Sequence, residues 1–356
     1  MTLLTFLGQT VVVVALLHAG GWLLLRSFGL SQGWSVAAGA PAMWLLIGVA
    51  ATAQPVSGQP AFTPLSVGLV LIGLAAAGWL VRQLVRRLRP AAASIALNGP
   101  SVRHALVGAV VPLAVAFAVM ALATQGDPQI PSQTWDAAFH VNAIRQAATT
   151  GTVNPNAIGL FVSPYAGYYP SGFAAVGALI MSITGCNAVV ASNIAAIALA
   201  GSLWPGVVMV SAGTGLGWHN RRLALAGAVA ATFWAMPWAP LGWGVLWPMA
   251  TGAAFGTLTV GAVLAVHRRA SWRAWAPTGL AGVIGSLVMH PRSGVLAVVQ
   301  CLIVVGWLSV LELTRAVRAE PRRPREVRLR VAGVIALIAG PAAALVLIGR
   351  GGKFAS

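Results

Sequence analysis

Apolar runs of about 20 residues recur from one end of this chain to the other, and few folds can absorb them. A helix of that length crosses the roughly 30 Å hydrocarbon core of a bilayer. It also satisfies its own backbone N–H and C=O groups, which the bilayer interior demands. A membrane β-barrel would instead show alternating segments of about ten residues, and none is visible. Charged residues fill only 8% of the 356 positions, against about 25% in a soluble domain. The sequence therefore predicts an all-α, polytopic transmembrane helical bundle, a multi-pass protein of the cell (plasma) membrane.

The runs place about ten spans, near 5–25, 34–53, 64–82, 104–124, 188–212, 223–241, 246–266, 275–290, 294–314 and 331–349. The run 275–290 is the shortest. They group as N-terminal helices with a basic loop (1–103), a core (104–314) with a long loop at 125–187, and a polybasic loop with the last span (315–356).

The net charge of +17 invites a nucleic-acid reading, but the arginines sit at the ends of apolar runs, as cytoplasmic flanks do. Membrane lipids are the expected partners, and no nucleic acid. All but four of the 22 Lys and Arg residues fall in connections that can share one side, the exceptions being Arg145, Arg292, Arg350 and Lys353. The positive-inside rule makes that side cytoplasmic and puts both termini outside.

Charge parity has a consequence. Residues 125–187 leave the fourth span on the outer side, and Arg221–Arg222 must return inside. One of the two apolar segments between, 170–185 and 188–212, should therefore not cross. The first is shorter and runs from Tyr169-Pro170-Ser171-Gly172 to Thr184-Gly185. It is expected to lie in, or dip into, the outer leaflet.

Cys186 and Cys301 are far apart in sequence and form no disulfide framework or metal spacing. The N-terminus lacks the basic segment and cleavage site of a secretory signal, so the first run reads as a retained span. His18, within that span, suits a hydrogen bond between helices.

Candidate chemistry gathers in the outer loop. Glu312, Glu320 and Glu326 lie in or beside the arginine-rich stretch, where pairing explains them. The other acids, Asp127 and Asp136, are in 125–168, with Tyr165, Tyr168, Tyr169, His140, Asn142, Arg145, Asn154 and Asn156. Loops on a rigid scaffold commonly carry function. The stretch Ser132–Arg145 reads as a short amphipathic helix that Gly151 ends. Asp136 and His140, four apart, share a face, whereas Arg145 faces elsewhere.

Asp136 is open to two readings. One is a first-turn charge stabilised by the helix dipole, with Thr134 or Ser132 as cap. The other is a general base, with His140 placed to orient it, bind a phosphate or help hold a metal. Asp127, before Pro128, reads as a turn residue. The Tyr165–Tyr168–Tyr169 group fits an interfacial belt or a sugar-stacking edge. In the outer hairpin His290-Pro291-Arg292-Ser293-Gly294, Arg292 can anchor at the interface or clamp a lipid phosphate.

The string Trp135-Asp136-Ala137-Ala138-Phe139-His140-Val141-Asn142 and the later Tyr168-Tyr169-Pro170-Ser171-Gly172 resemble uncharacterised actinobacterial multi-pass proteins allied to the GT-C class of membrane glycosyltransferases. The likeness covers roughly residues 104–300. It implies a GT-C-like bundle with outer-face juxtamembrane helices and a polyprenyl-phosphate sugar as donor. It further implies Asp136 as the base that deprotonates a cell-envelope acceptor hydroxyl. His290 or Arg292 would hold the donor phosphate, with His140, Asn142, Tyr165, Tyr168 and Tyr169 binding substrate. A divalent cation is left open.

Two other classes stand beside this one. A transporter or lipid flippase needs polar groups within spans or broken helices. Ionisable residues are nearly absent from mid-span, but Pro205, Pro237, Pro240 and Pro248 supply breaks. A non-catalytic scaffold of envelope assembly needs none of these side chains.

Overall fold

A computed structural model of the chain describes residues 1–54, 62–88, 99–162, 168–242 and 246–319. The expected span at 331–349 lies outside the described residues. Every regular element among the described residues is helical. The chain divides into two compact units, Met1–Val295 and Leu296–Ser356.

Four long helices open the fold: α1 (Leu3–Ser27), α2 (Gln32–Ala53), α3 (Pro64–Leu88) and α4 (Val102–Ala123). Ser31 and Ser101 start α2 and α4 by accepting the backbone N–H of Trp34 and His104, the usual use of an N-cap hydroxyl. Three shorter helices follow, α5 (Trp135–Thr150), α6 (Pro155–Val162) and α7 (Gly172–Thr184). A long helical stretch, Ala188–Leu216, comes next. It consists of α8 (Ala188–Ala198) and α9 (Trp204–Ser211), with π-helical turns at Leu199–Leu203 and Ala212–Leu216. The chain continues through α10 (Asn220–Ala230), a π-helical turn at Trp234–Trp238 with α11 (Ala239–Gly242), α12 (Trp247–His267), α13 (Trp272–Met289) and α14 (Pro291–Ala319).

Among the described residues seven helices are long and apolar enough to cross a membrane, or eight if the bent pair Asn220–Ala230 and Trp234–Gly242 is one span. The apolar part of α13, Trp275–Met289, falls short of that length. The expected continuous span 223–241 is broken, with a 48° bend. Phe233, at the break, has an extended backbone (φ −78°, ψ 126°), and so does Met236 before Pro237 (φ −151°, ψ 122°). The bend leaves carbonyls without helical partners. The indole N–H of Trp204 donates to Ala230 O at 3.0 Å, and that of Trp238 to Ala231 O at 2.6 Å.

Helices approach closely where glycine permits. A Cβ on Gly21 of α1 would stand 1.8 Å from Gly39 O of α2, so this crossing admits only hydrogen there. Ala188–Leu216 is the most enclosed of the long helices, 78% buried across its apolar window, and forms the centre of the bundle.

Hydrogen bonds sort the helix ends into two groups. At one end Ser101 N donates to Asn220 Oδ1, Arg82 Nη1 to Arg26 O and Arg268 Nη1 to Gly215 O. Arg103, Arg221, Arg222 and Arg269 belong to the same connections. At the other end Gln9 Nε2 donates to Thr184 O, Asn187 Nδ2 to Gln129 Oε1, Asn193 Nδ2 to Pro128 O and Gln54 Nε2 to Gly151 O. The segment from α5 to α7 thus stays at the end where α4 leaves and α8 begins.

Thirteen residues make α7 about 20 Å long, short of the hydrocarbon thickness. Its setting differs from the expected leaflet position. Gly172–Ile180 are all buried, and α7 packs against α5, α8 and α2. Small residues make that possible: a Cβ on Gly177 would stand 2.6 Å from the Ile144 side chain of α5.

Candidate functional site

Helix α5 packs on α7, with Ile144 against Gly177, and its Ala137, Ala143, Ile144 and Ala147 are buried. This fixes its two faces. Asp136 is exposed in the first turn, and His140, one turn on, is buried at 6% exposure. The expected side-chain cap is not formed. Thr134 is the N-cap residue, yet its buried hydroxyl has no hydrogen-bond partner. Its extended backbone (φ −108°, ψ 155°) starts the helix instead, with Ala137 N donating to Thr134 O. At the far end Gly151 adopts φ +67° and closes α5, a conformation glycine takes without steric cost.

The turn after α5 is clamped to the end of α2. Gln54, 7% exposed, donates from Nε2 to Gly151 O at 2.8 Å and accepts at Oε1 from Val153 N at 2.6 Å. Asn154 Nδ2 donates to Gln54 O. Tyr169 N donates to Pro155 O at 3.0 Å. One buried amide therefore ties down the turn through which α5 connects to the tyrosine segment.

An aromatic box surrounds His140. Its ring centroid lies 5.5 Å from Trp247, 6.3 Å from Tyr169, 6.4 Å from Phe173 and 5.3 Å from Phe139. Phe173 stacks on Trp247 at 5.0 Å, and Phe139 meets Tyr169 edge-on at 4.6 Å. Burial in this box pushes the His140 pKa down to about 4. The Asp136 charge opposes that shift, and His290 adds to it. Desolvation wins, so the imidazole is neutral at pH 7.

Tyr169 is half-buried. Burial, with Asp136 adding and Arg292 opposing, pushes its hydroxyl up to about 12, so it remains a hydrogen-bond donor. His290 sits in the break between α13 and α14. Its N–H donates to Ser286 O, its carbonyl accepts from Ser293 N, and its buried Nδ1 has no partner. Burial, and then the neighbouring Arg292, lower its pKa. Ser293 Oγ donates to Met249 O at 2.9 Å, holding the start of α14 to α12. Arg292, beside it, is exposed.

These couplings bring Asp136, His140, Tyr169, His290 and Arg292 into one neighbourhood from three separate stretches of chain. Other predicted site residues stand apart. Asn142 is exposed and lies about 200° round the helix from His140. Tyr168 is exposed, and Tyr165 lies outside the described residues. Asp127 accepts Gln129 N at 2.9 Å, the turn geometry its sequence suggests. Among the described residues no group of three His, Cys, Asp or Glu side chains could hold a metal ion.

Sequence reasoning missed Phe173, Trp247 and Gln54. Gln54 had a signal, a polar residue closing an apolar run. Trp247 had only the Trp-Pro start of a span, and nothing local links it to His140.

The neighbourhood holds an exposed carboxylate and an exposed guanidinium together with two imidazoles whose pKa burial lowers and a phenol. A carboxylate can take a proton from a hydroxyl, and a guanidinium can hold a phosphate. No curated protein and no solved structure matches the chain. Residues 14–355 match a family described as a family of unknown function, DUF6541. The match spans nearly the whole sequence, and the chain belongs to that family.

Proposed function

We propose that this protein is a membrane glycosyltransferase that moves a sugar from a polyprenyl-phosphate donor to a cell-envelope acceptor. By the positive-inside rule the arginine-rich end would face the cytoplasm, leaving the site on the outer face. The supporting observation is the convergence of Asp136, His140, Tyr169, His290 and Arg292 at the end of the bundle away from those arginines.

In this reading the Asp136 carboxylate takes the proton of the acceptor hydroxyl. The acceptor oxygen bonds to the anomeric carbon as the bond from that carbon to the phosphate oxygen breaks. Polyprenyl phosphate leaves with the electron pair, and Arg292 stabilises its charge. His290, neutral beside Arg292, can donate to the same phosphate. His140 and Tyr169 line the desolvated side, where uncharged donors avoid the cost of burying charge.

Reconstituted vesicles given a radiolabelled polyprenyl-phosphate sugar test the proposal. Asp136→Asn should lower transfer by about 10²–10⁴-fold, the usual contribution of a general base. Full transfer by Asp136→Asn overturns it. The 48° break in the span after α9 favours a transporter as second reading. Uptake of the sugar lipid by vesicles, without transfer, would decide for that one.

A further inference from the structure

A cavity of about 310 Å³ lies in the bend of the broken span. That volume is at the lower end of the range for small-molecule sites, about 300–1,000 Å³. Its walls come from the ends of α4 and α8, the bend itself and the first residue of α12, with Trp234, Trp238 and Trp247 prominent. No titratable side chain lines it. Trp247 is shared: it lines the cavity and also packs on His140 and Phe173.

Two further features define the cavity. Its lateral rim belongs to spanning helices and is exposed there: Trp234 is 73% exposed, and Ala123 at the end of α4 is exposed as well. Its other rim is polar, Ser132 and Gln133, the residues just before Thr134 and Asp136. The bend is held by the indole bonds to Ala230 and Ala231, so the opening is part of the folded state.

We infer that this cavity seats the hydrocarbon chain of a lipid entering sideways from the bilayer between Trp234 and α4, with the lipid headgroup at Ser132–Gln133 beside Asp136. An uncharged, tryptophan-lined wall at the depth of the spans suits an alkyl or isoprenoid chain. The polar rim suits the point where that chain meets its headgroup. A soluble sugar would need polar partners along the wall; away from Ser132 and Gln133 these are Thr124 and Asn193, whose side chains already donate to Met120 O and to Pro128 O and Ile130 O. The inference stands on the cavity and does not require glycosyl transfer. It leads to the same Asp136, and so names where a lipid substrate of that site would lie.

The test is photolabelling of the full chain in nanodiscs. One probe is a phosphatidylglycerol with a diazirine at the end of an acyl chain, and the other a polyprenyl phosphate with a diazirine in its chain. Residues 119–124 and 234–242 should be labelled at least about five-fold more heavily than the exposed face of α3 at Leu69 and Ile72. Gly242→Phe should abolish that excess. Gly242 lines the cavity, and a Cβ there has nothing within 4 Å, so a side chain can start there without a clash at its first carbon. Ala123→Phe, at the exposed rim, is the second variant should the first fail to fold. Excess labelling by only one probe identifies the source of the chain. No excess with either probe, or an excess unchanged in a folded filled variant, overturns the inference. Labelling reads binding alone, so an inactive Asp136→Asn protein that still labels separates a failed transfer reading from a failed seat.

Discussion

Acidification from pH 7.5 to 4.5 should destabilise this protein through His140. Its box of Phe139, Tyr169, Phe173 and Trp247 holds the pKa near 4, against about 6.5 in an unfolded chain. The folded pKa is depressed, so the unfolded state binds the proton first. The stability is fully present above about pH 6.5 and is lost as pH falls toward 4. Between the two pH values one such group costs on the order of 2–3 kcal/mol. The assay is thermal or denaturant unfolding in detergent across that range, for the wild type and for His140→Phe. The variant keeps an aromatic ring in the box and removes the titrating group, so it should lose about that much of the pH dependence. Equal pH dependence in both proteins would show that His140 titrates near its ordinary value, and would refute the desolvated box.

Other outcomes follow from the packing. Gln54→Leu leaves the fully buried Val153 N–H without its acceptor and should cost about 2 kcal/mol in unfolding measurements. Gly21→Val should destabilise by about 1–3 kcal/mol or more, because its Cβ would run into Gly39 O. Gly73→Val, with nothing within 4 Å of its Cβ, is the matched control and should leave the melting temperature nearly unchanged. Trp238→Phe keeps a ring in the bend but removes the bond to Ala231 O, at about 1–2 kcal/mol.

The sequence made the length-coded features legible. Apolar runs gave the spanning helices because a bilayer imposes one length on every crossing. Charge parity picked out 170–185, where α7 is one of the shorter apolar helices at 13 residues. The pairing of Asp136 with His140 followed from helical spacing, which is local. What sequence could not show was tertiary. Nothing in the neighbourhood of His140 says that Trp247 will close over it, or that the glycines and alanines of α7 will draw that helix into the protein instead of the leaflet. The bend at 231–233 was half legible. Pro237 marked a weak point, but the indoles of Trp204 and Trp238 that satisfy its carbonyls come from packing.

Sugar transfer measured against donor concentration tests the central claim most directly. In vesicles containing the purified wild-type chain, transfer from a polyprenyl-phosphate sugar should saturate. Asp136→Asn should lower kcat by about 10²-fold or more with KM little changed, since its bond forms as the acceptor proton moves. Arg292→Ala should mainly raise KM for the donor, through loss of a phosphate contact. A wild-type chain that transfers nothing, or an Asp136→Asn chain with unchanged kcat, would contradict the account.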